Sequence, residues 1–364
     1  MPKAAVLYGF YEPLKIETIE LKPPRADEVL VKVAASGICH TDLSVVQARL
    51  PHPPPVVLGH EAAGIVEEVG SAVTHLTPGD HVVLSAIPSC GRCFYCLAGE
   101  SHLCEAGIQS MIDGQEYIFE KDGVAISRFA GVASFSERTV VRGPAAIKIP
   151  KDVPLDKACL VGCGVITGVG AAVNTARVRP GQTVAVFGCG GVGLNVIQGA
   201  VLCGAATIIA VDLLDKKLEW ATQFGATHTL NAGSGGNVAE AIRSLTSGVG
   251  ADIAFEVIGM PAVIAQCLAS VRRGGKVVMV GAPGFGEDLI VPAAIIPLEE
   301  KSIIGTLLGS ANMHHDIPKL LELYMKKKLK LDELISRRIT LDEVNSAFES
   351  MEKGEVARSV IVYE

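Results

Sequence analysis

Thr183-Val-Ala-Val-Phe-Gly188-Cys-Gly190-Gly191-Val192-Gly193, a mostly apolar run to Ala206, and then Thr207-Ile-Ile-Ala-Val-Asp212 make up the stretch whose reading decides the fold. A short apolar, β-branched run closes on Gly-x-Gly-x-x-Gly, a helix-length segment follows, and a second strand-like run ends on an acid. That order is a βαβ unit with a dinucleotide-binding fingerprint. Gly188 permits the tight turn, Gly190 lets the backbone approach a pyrophosphate, and Gly193 lets the helix pack on its strand. The helix N-terminus, with Gly191 and Val192, then faces the phosphates. Asp212 is placed to accept hydrogen bonds from an adenosine ribose. In a chain with 39 glycines the triplet alone says little, so the surrounding strand, helix and acid carry the reading.

Working outward, strands are expected near 184–187, 207–211, 252–257 and 276–280, with helix-length segments between them. This is the grammar of a doubly wound parallel sheet in an α/β protein. Residues 231–237 form a polar Gly/Ser loop. Upstream, the short apolar or alternating runs 29–33, 62–69 and 81–84 are broken by Gly and Pro, which marks a β-rich region. Four prolines between Pro51 and Pro55 exclude regular structure there. Downstream, helices are expected at 316–325 and 341–351 and a closing strand at 359–362. The nucleotide domain, 165–305, is thus expected to interrupt a second domain made of 1–164 and 306–364. A cleft between the two is where a site is expected.

At 364 residues the chain exceeds what one hydrophobic core usually serves. A net charge of −7 with no basic block argues against nucleic acid and anionic membranes as partners. The Lys326-Lys327-Lys328 run reads as a solvated face. No apolar run is expected to reach the ~20 residues of a membrane helix, and the N-terminus lacks the apolar core of a signal peptide. The chain is read as cytoplasmic.

Of ten cysteines, Cys90, Cys93, Cys96 and Cys104 fall within fifteen residues as C-x2-C-x2-C-x7-C. Three thiols on one tight loop and a fourth returning nearby close a four-thiolate shell with no open position, the pattern of a structural zinc. An iron–sulfur cluster or incidental cysteines are the alternatives. His102 lies in the loop but the fourth thiol makes it unnecessary. Cys39, His60 and Cys163 are further soft ligands, yet spacing does not bring them together. Composition alone favours reading Cys39 and Cys163 as buried small hydrophobes and His60 as a satisfied core histidine.

Gly37-x-Cys39-x-Thr41-Asp42, Gly59-His60-Glu61-x-x-Gly64, the four-cysteine loop and the Gly188–Gly193 fingerprint together resemble the zinc-containing alcohol dehydrogenases of the medium-chain dehydrogenase/reductase superfamily. The similarity spans nearly the whole chain. It implies a Rossmann domain inserted into a β-rich GroES-like catalytic domain, with two zinc ions per chain and NAD as cofactor. It further implies a catalytic zinc held by Cys39, His60 and Cys163, with substrate at an open fourth position. Cys159 competes with Cys163, but the Gly-Cys-Gly-x-x-Thr167-Gly context favours the latter. Asp42 is implied to orient His60, Glu61 to lie beside the zinc, and Thr41 to begin a proton relay from the substrate alcohol. Ser44 stands where many relatives end that relay with a histidine. His40 and Arg358 match phosphate contacts, Thr167 a cofactor position and Lys217 a ribose contact.

The segment 113–135 resembles the long loop of the dimeric animal and glutathione-dependent branches, which implies a homodimer. Ala86 and Ala282 match substrate-pocket positions where bulkier residues are common, implying room for aromatic or medium-chain primary alcohols and their aldehydes. The glutathione-dependent branch carries a basic residue shortly after the fourth cysteine, and here Cys104 is followed by Glu105-Ala-Gly-Ile108, which argues against that substrate. A mycothiol adduct and an alcohol:acceptor reaction with tightly held NAD are the alternatives. A zinc-free quinone reductase and a non-enzymatic relative fit less well, because all the ligand candidates are present.

Overall fold

Thr183–Phe187 is a central strand of a six-stranded sheet in the order His228–Asn231, Thr207–Asp212, Thr183–Phe187, Ala251–Glu256, Val271–Met279, Ser302–Gly305. Every neighbouring pair is parallel. Numbered along the chain this is 3-2-1-4-5-6, so the direction of winding reverses between Thr183–Phe187 and Ala251–Glu256. In such sheets ligands bind outside the carboxyl ends of the strands at that reversal, where Gly188 begins its turn. The computed structural model describes residues 1–112 and 116–364.

The helices Gly191–Leu202, Asp215–Phe224, Val238–Leu245 and Pro261–Ser270 alternate with these strands. Strands buried on both faces read as near-continuous apolar runs, and Thr183–Phe187 and Thr207–Asp212 do so. Ala185, Phe187, Ile209, Val211, Ile264, Leu268 and Val277 share one core cluster. Two strands lie outside the expected set. His228–Asn231 is mostly polar and sits at an edge, and Ser302–Gly305 closes the other edge, so neither carries the hydrophobic signal of a central strand. Within the 231–237 loop, Asn237 caps the next helix, its side chain accepting from the Ala239 and Glu240 amides.

The chain divides into two compact units, 1–163 with 312–364, and 164–311. The second boundary therefore falls after Ala311 and not after Gly305. Residues 306–311 belong to the nucleotide unit through hydroxyl contacts of Thr175 with Thr306 and Ser310, and through the Asn174 amide donating to the Gly309 carbonyl at 3.1 Å.

The first unit carries two sheets among the described residues. One runs Ala146–Ile149, His81–Leu84, Glu61–Val69, Glu28–Gly37, Arg358–Val362, Ile335–Ile339, with Arg138–Arg142 also paired to Glu28–Gly37. The other joins Lys15–Thr18, Lys3–Leu7, Val56–Val57, Val124–Arg128, Tyr117–Lys121 and Glu20–Leu21. The segment expected as a long loop from 113 is thus built partly of an antiparallel strand pair, Tyr117–Lys121 with Val124–Arg128. Its first residues, Asp113–Gln115, lie outside the described residues. Arg128 is buried there, its guanidinium donating to Glu116 at 2.8 Å and to Glu28 at 3.2 Å. The later helices are Met313–Met325 and Val344–Glu352, and Lys326, Lys327 and Lys328 are exposed.

From Ala158 to Ala176 no side chain is charged, a longer uncharged run than expected. It is broken at Cys163, whose φ of −143° and ψ of −75° are non-helical, and most of it is buried. Among the described residues, no single helix is long and apolar enough to cross a membrane.

A Cβ on Gly193 would lie 1.8 Å from the Gly188 carbonyl oxygen, whereas one on Gly190 would meet nothing within 4 Å. Gly193→Ala is therefore expected to cost about 1–3 kcal/mol of stability as an overpacking change, and Gly190→Ala to leave the melting temperature unchanged. Thermal denaturation of the two variants checks this; equal melting temperatures would show that the helix does not approach its strand this closely.

Candidate active site

Glu28–Gly37 delivers Cys39 to the N-cap of the short helix His40–Val46 in extended conformation. Gly59, at φ +91°, turns the chain so that His60 enters at the mouth of Glu61–Val69. Cys163 follows the turn Cys159–Gly162. One ligand atom from each of Cys39, His60 and Cys163 lies within 4.8 Å of the others. The Asp42 carboxylate, fully buried, organises two of these segments. Its Oδ1 accepts from the Gly59 amide at 2.9 Å and contacts His60 Nδ1 at 3.1 Å, and its Oδ2 accepts from the Cys39 amide at 3.4 Å. With Nδ1 taken, His60 Nε2 is a buried nitrogen with no hydrogen-bond partner.

The charges converge on the same point. A hydrogen bond from the Cys163 thiol holds the Cys39 thiol well below its usual range, helped by His60 and Arg358. That bond, with burial, pushes Cys163 up. Burial alone would lower His60, but Asp42 and Cys39 outweigh it and raise it well above the ordinary value. Two sulfurs and an orphaned imidazole nitrogen, enclosed and electron-rich, fit a zinc ion with three protein ligands.

Glu61 and Arg358 form a buried pair at 3.5 Å beside these ligands, and the Arg358 guanidinium also donates to the Ile38 carbonyl at 3.2 Å. The motif reading of Arg358 gave no sign of this partner. A Cβ on Gly37 would come within 2.2 Å of Glu61 Oε2, so Gly37 makes room for that carboxylate. Phe129, which sequence reasoning missed, stands edge-on to the His60 ring at 5.7 Å and to His52 at 5.2 Å. No motif marks it.

The sulfurs of Cys90, Cys93, Cys96 and Cys104 also lie within 4.8 Å of one another. The Cys90 amide donates to Cys104 Sγ at 3.2 Å and the Cys93 amide to Cys90 Sγ at 3.4 Å. Amides of Arg92 and Cys93 lower the Cys90 thiol to about 6, as thiolate ligands require. His102 is not in this group. All ten cysteines are free thiols. Cys159 Sγ donates to the Asp156 carbonyl at 3.3 Å and Cys163, not Cys159, joins Cys39 and His60.

In the second unit the helix Gly191–Leu202 has no side-chain cap at its N-cap, Gly190, so the first amides, those of Gly191, Val192 and Gly193, have no partner within the helix. The open space at Gly190 is a cradle that a side chain would fill. Asp212 is tied to this turn, its Oδ2 accepting from the Cys189 amide at 2.8 Å and its Oδ1 from those of Leu213 and Leu214 at 2.8 and 3.2 Å. Thr167 Oγ1 is buried without a partner. Uncapped amides, an open cradle and a fixed carboxylate fit a dinucleotide. Lys217, half-buried in Asp215–Phe224, lies close enough to influence Cys189.

The other expected positions stand as follows. Thr41 is exposed, with Oγ1 3.7 Å from Cys39 Sγ. Ser44 donates to the His40 carbonyl at 2.9 Å, a bond within its own helix, and His40 itself is exposed. Ala86 is a buried member of an apolar core cluster of the first unit, and Ala282 is an exposed residue of the second.

The sequence matches the family profile "Alcohol dehydrogenase GroES-like domain" over residues 25–151 and "Zinc-binding dehydrogenase" over residues 191–326. It is 40% identical to an NDMA-dependent alcohol dehydrogenase of Amycolatopsis methanolica, covering 99% of this chain and 98% of that one. Among solved structures, the chain resembles an alcohol dehydrogenase zinc-binding domain protein from Burkholderia ambifaria, with TM-score 0.95 and 36% identity over 100% and 99% of the two chains. It also resembles benzyl alcohol dehydrogenase from Acinetobacter calcoaceticus, with TM-score 0.93 and 35% identity over 100% and 99%. With the ligand sets and the nucleotide turn in place, these likenesses establish that the chain belongs to the zinc-containing alcohol dehydrogenases of the medium-chain dehydrogenase/reductase superfamily.

Proposed function

We propose that the protein is a zinc-containing, NAD-dependent, cytoplasmic alcohol dehydrogenase, interconverting a primary aromatic or medium-chain alcohol and its aldehyde. The observation that carries this reading is the orphaned His60 Nε2 among the Cys39 and Cys163 sulfurs. A zinc ion held there would supply Lewis acidity toward a substrate oxygen, and NAD at the Gly188–Gly193 turn would supply the hydride acceptor. The chain's own residues prepare the site. Asp42 fixes the His60 tautomer so that Nε2 keeps its lone pair inward. Arg358 neutralises Glu61, which otherwise would stand as a bare buried anion beside the ligands. Thr41 has a hydroxyl within reach of the ligand sulfur and of solvent, where a substrate proton can be received. Ser44, a hydroxyl spent on its own helix, is a poor terminus for that proton. The likeness to a benzyl alcohol dehydrogenase and the Phe129 ring beside His60 support an aromatic substrate. Ten free thiols suit a reducing compartment.

The NDMA-dependent relative favours a second reading, in which NAD stays bound and an external acceptor takes the electrons. NAD retained through gel filtration and freed only on denaturation would select it.

The closed four-thiolate loop and the open three-ligand site call for two zinc ions with different roles. Cys93→Ser is expected to lower thermal stability by several degrees, and Cys39→Ser to abolish turnover in a folded protein. Metal analysis finding one zinc in fully active enzyme would contradict this.

NAD is expected to be preferred over NADP, because a 2′-phosphate would be brought against Asp212. Since the same carboxylate accepts three amides of the turn, Asp212→Asn is the suitable probe and should reduce the preference by lowering kcat/KM for NAD about tenfold. With NAD, benzyl alcohol is expected to exceed ethanol in kcat/KM. Equal use of NADP by the wild type, or ethanol ranking first, would reverse these assignments.

A homodimer is supported by the edge strand Ser302–Gly305, which has no outer neighbour among the described residues, and by the exposure of Phe285, Ile290 and Leu298 at 80%, 87% and 81% in the segment leading to it. Light scattering is expected to give twice the 38.0 kDa chain mass, and Ile290→Asp with Leu298→Asp to yield monomer; an unaltered dimer would place the interface elsewhere.

A further inference from the structure

The nucleotide unit has a second cavity, at the opposite end of its sheet from the glycine turn. It is open to solvent, has a volume of about 320 Å³ and is lined by Arg177, Arg179, Arg272 and Lys276, with Asp252 as its one acid. Lys276 pairs in register with Ile253, and Ile253 with Val184, so the cavity opens at the amino ends of the central strands. Thr183–Phe187 spans roughly 17 Å, which separates the cavity from Gly188.

One cation, Lys276, is held by a neutral group, and a neutral side chain fixes the backbone at Arg179. Lys276 Nζ donates to the Ala176 carbonyl at 3.1 Å, and the Gln182 side chain accepts from the Arg179 amide at 2.8 Å. Arg272 alone meets the acid, its Nε donating to Asp252 Oδ1 at 2.7 Å, while Asp252 Oδ2 accepts from the Thr183 amide at 2.7 Å. Asp252 is thus fully engaged, and among the described residues neither the Arg177 nor the Arg179 guanidinium has an acidic partner. Four cations and one carboxylate line this cavity in a chain whose net charge is −7, a local excess of positive charge that an anion would complement. Planar guanidinium forks match phosphate oxygens two at a time, and an ammonium adds a point charge.

We propose that this cavity is a binding site for a small polyanion carrying adjacent phosphoryl groups, of the size of pyrophosphate, independent of the dinucleotide turn. Calorimetric titration of the full-length protein with inorganic pyrophosphate at low ionic strength tests it, with zinc content measured before and after to exclude chelation. In protein saturated with NAD, which fills the dinucleotide turn, one further site per chain is expected, weakened by added salt. In Arg177→Gln/Arg179→Gln the affinity should fall at least about tenfold, with the melting temperature of the unliganded protein unchanged because both side chains are exposed. Arg177→Lys/Arg179→Lys should keep part of the affinity and serves if the first variant does not fold. Gly190→Val, at the dinucleotide turn, should bind as the wild type does. No binding by the wild type, undiminished binding in Arg177→Gln/Arg179→Gln, or loss confined to Gly190→Val would each overturn the proposal.

Discussion

The Asp42 carboxylate is the constraint on which the metal site depends. It reaches the helix it sits on through the Cys39 amide, the entering strand through the Gly59 amide, and the ligand through His60 Nδ1. One buried acid thereby sets the spacing of two ligands and the tautomer of one. Its removal would leave those donors buried without partners, a loss of about 1–3 kcal/mol for each neutral donor. Glycine is needed where the chain bends to meet it, because φ at Gly59 is +91°.

Around that acid the site gathers charges that are costly singly and tolerable together. The Glu61–Arg358 pair is buried, and such pairs contribute little net stability against an apolar replacement. Beside the thiols, the Arg358 charge helps to hold Cys39 well below its usual range, toward the thiolate form that binds metal. Gly37 belongs to the same arrangement, since any side chain there would occupy the place of the Glu61 carboxylate.

The nucleotide unit is organised by the comparable device of Asp212. The carboxylate closes the glycine turn from the neighbouring strand by accepting the Cys189 amide, while Gly193 brings the helix onto the strand. The turn is therefore held by hydrogen bonds before any ligand arrives, with the first helix amides uncapped and the space at Gly190 open. Preorganisation of this kind lowers the ordering cost of binding.

The amino-acid order by itself determined whatever is encoded over short separations. Four cysteines within fifteen residues must meet, and a strand, a glycine turn, a helix and an acid in succession must form a βαβ unit, because local geometry leaves little alternative. Two edge strands were not legible, since His228–Asn231 and Ser302–Gly305 lack the apolar run that burial on both faces imposes. The meeting of Cys39 and His60 with Cys163 was not legible in spacing either, and was reached only through family resemblance. Tertiary structure alone decided that Arg358 pairs with Glu61, that Ser44 turns to its own helix, that Ala86 packs in a core and that Phe129 stands against His60. These contacts depend on where strands distant in sequence come to lie in one sheet, and neither periodicity nor residue type records that path.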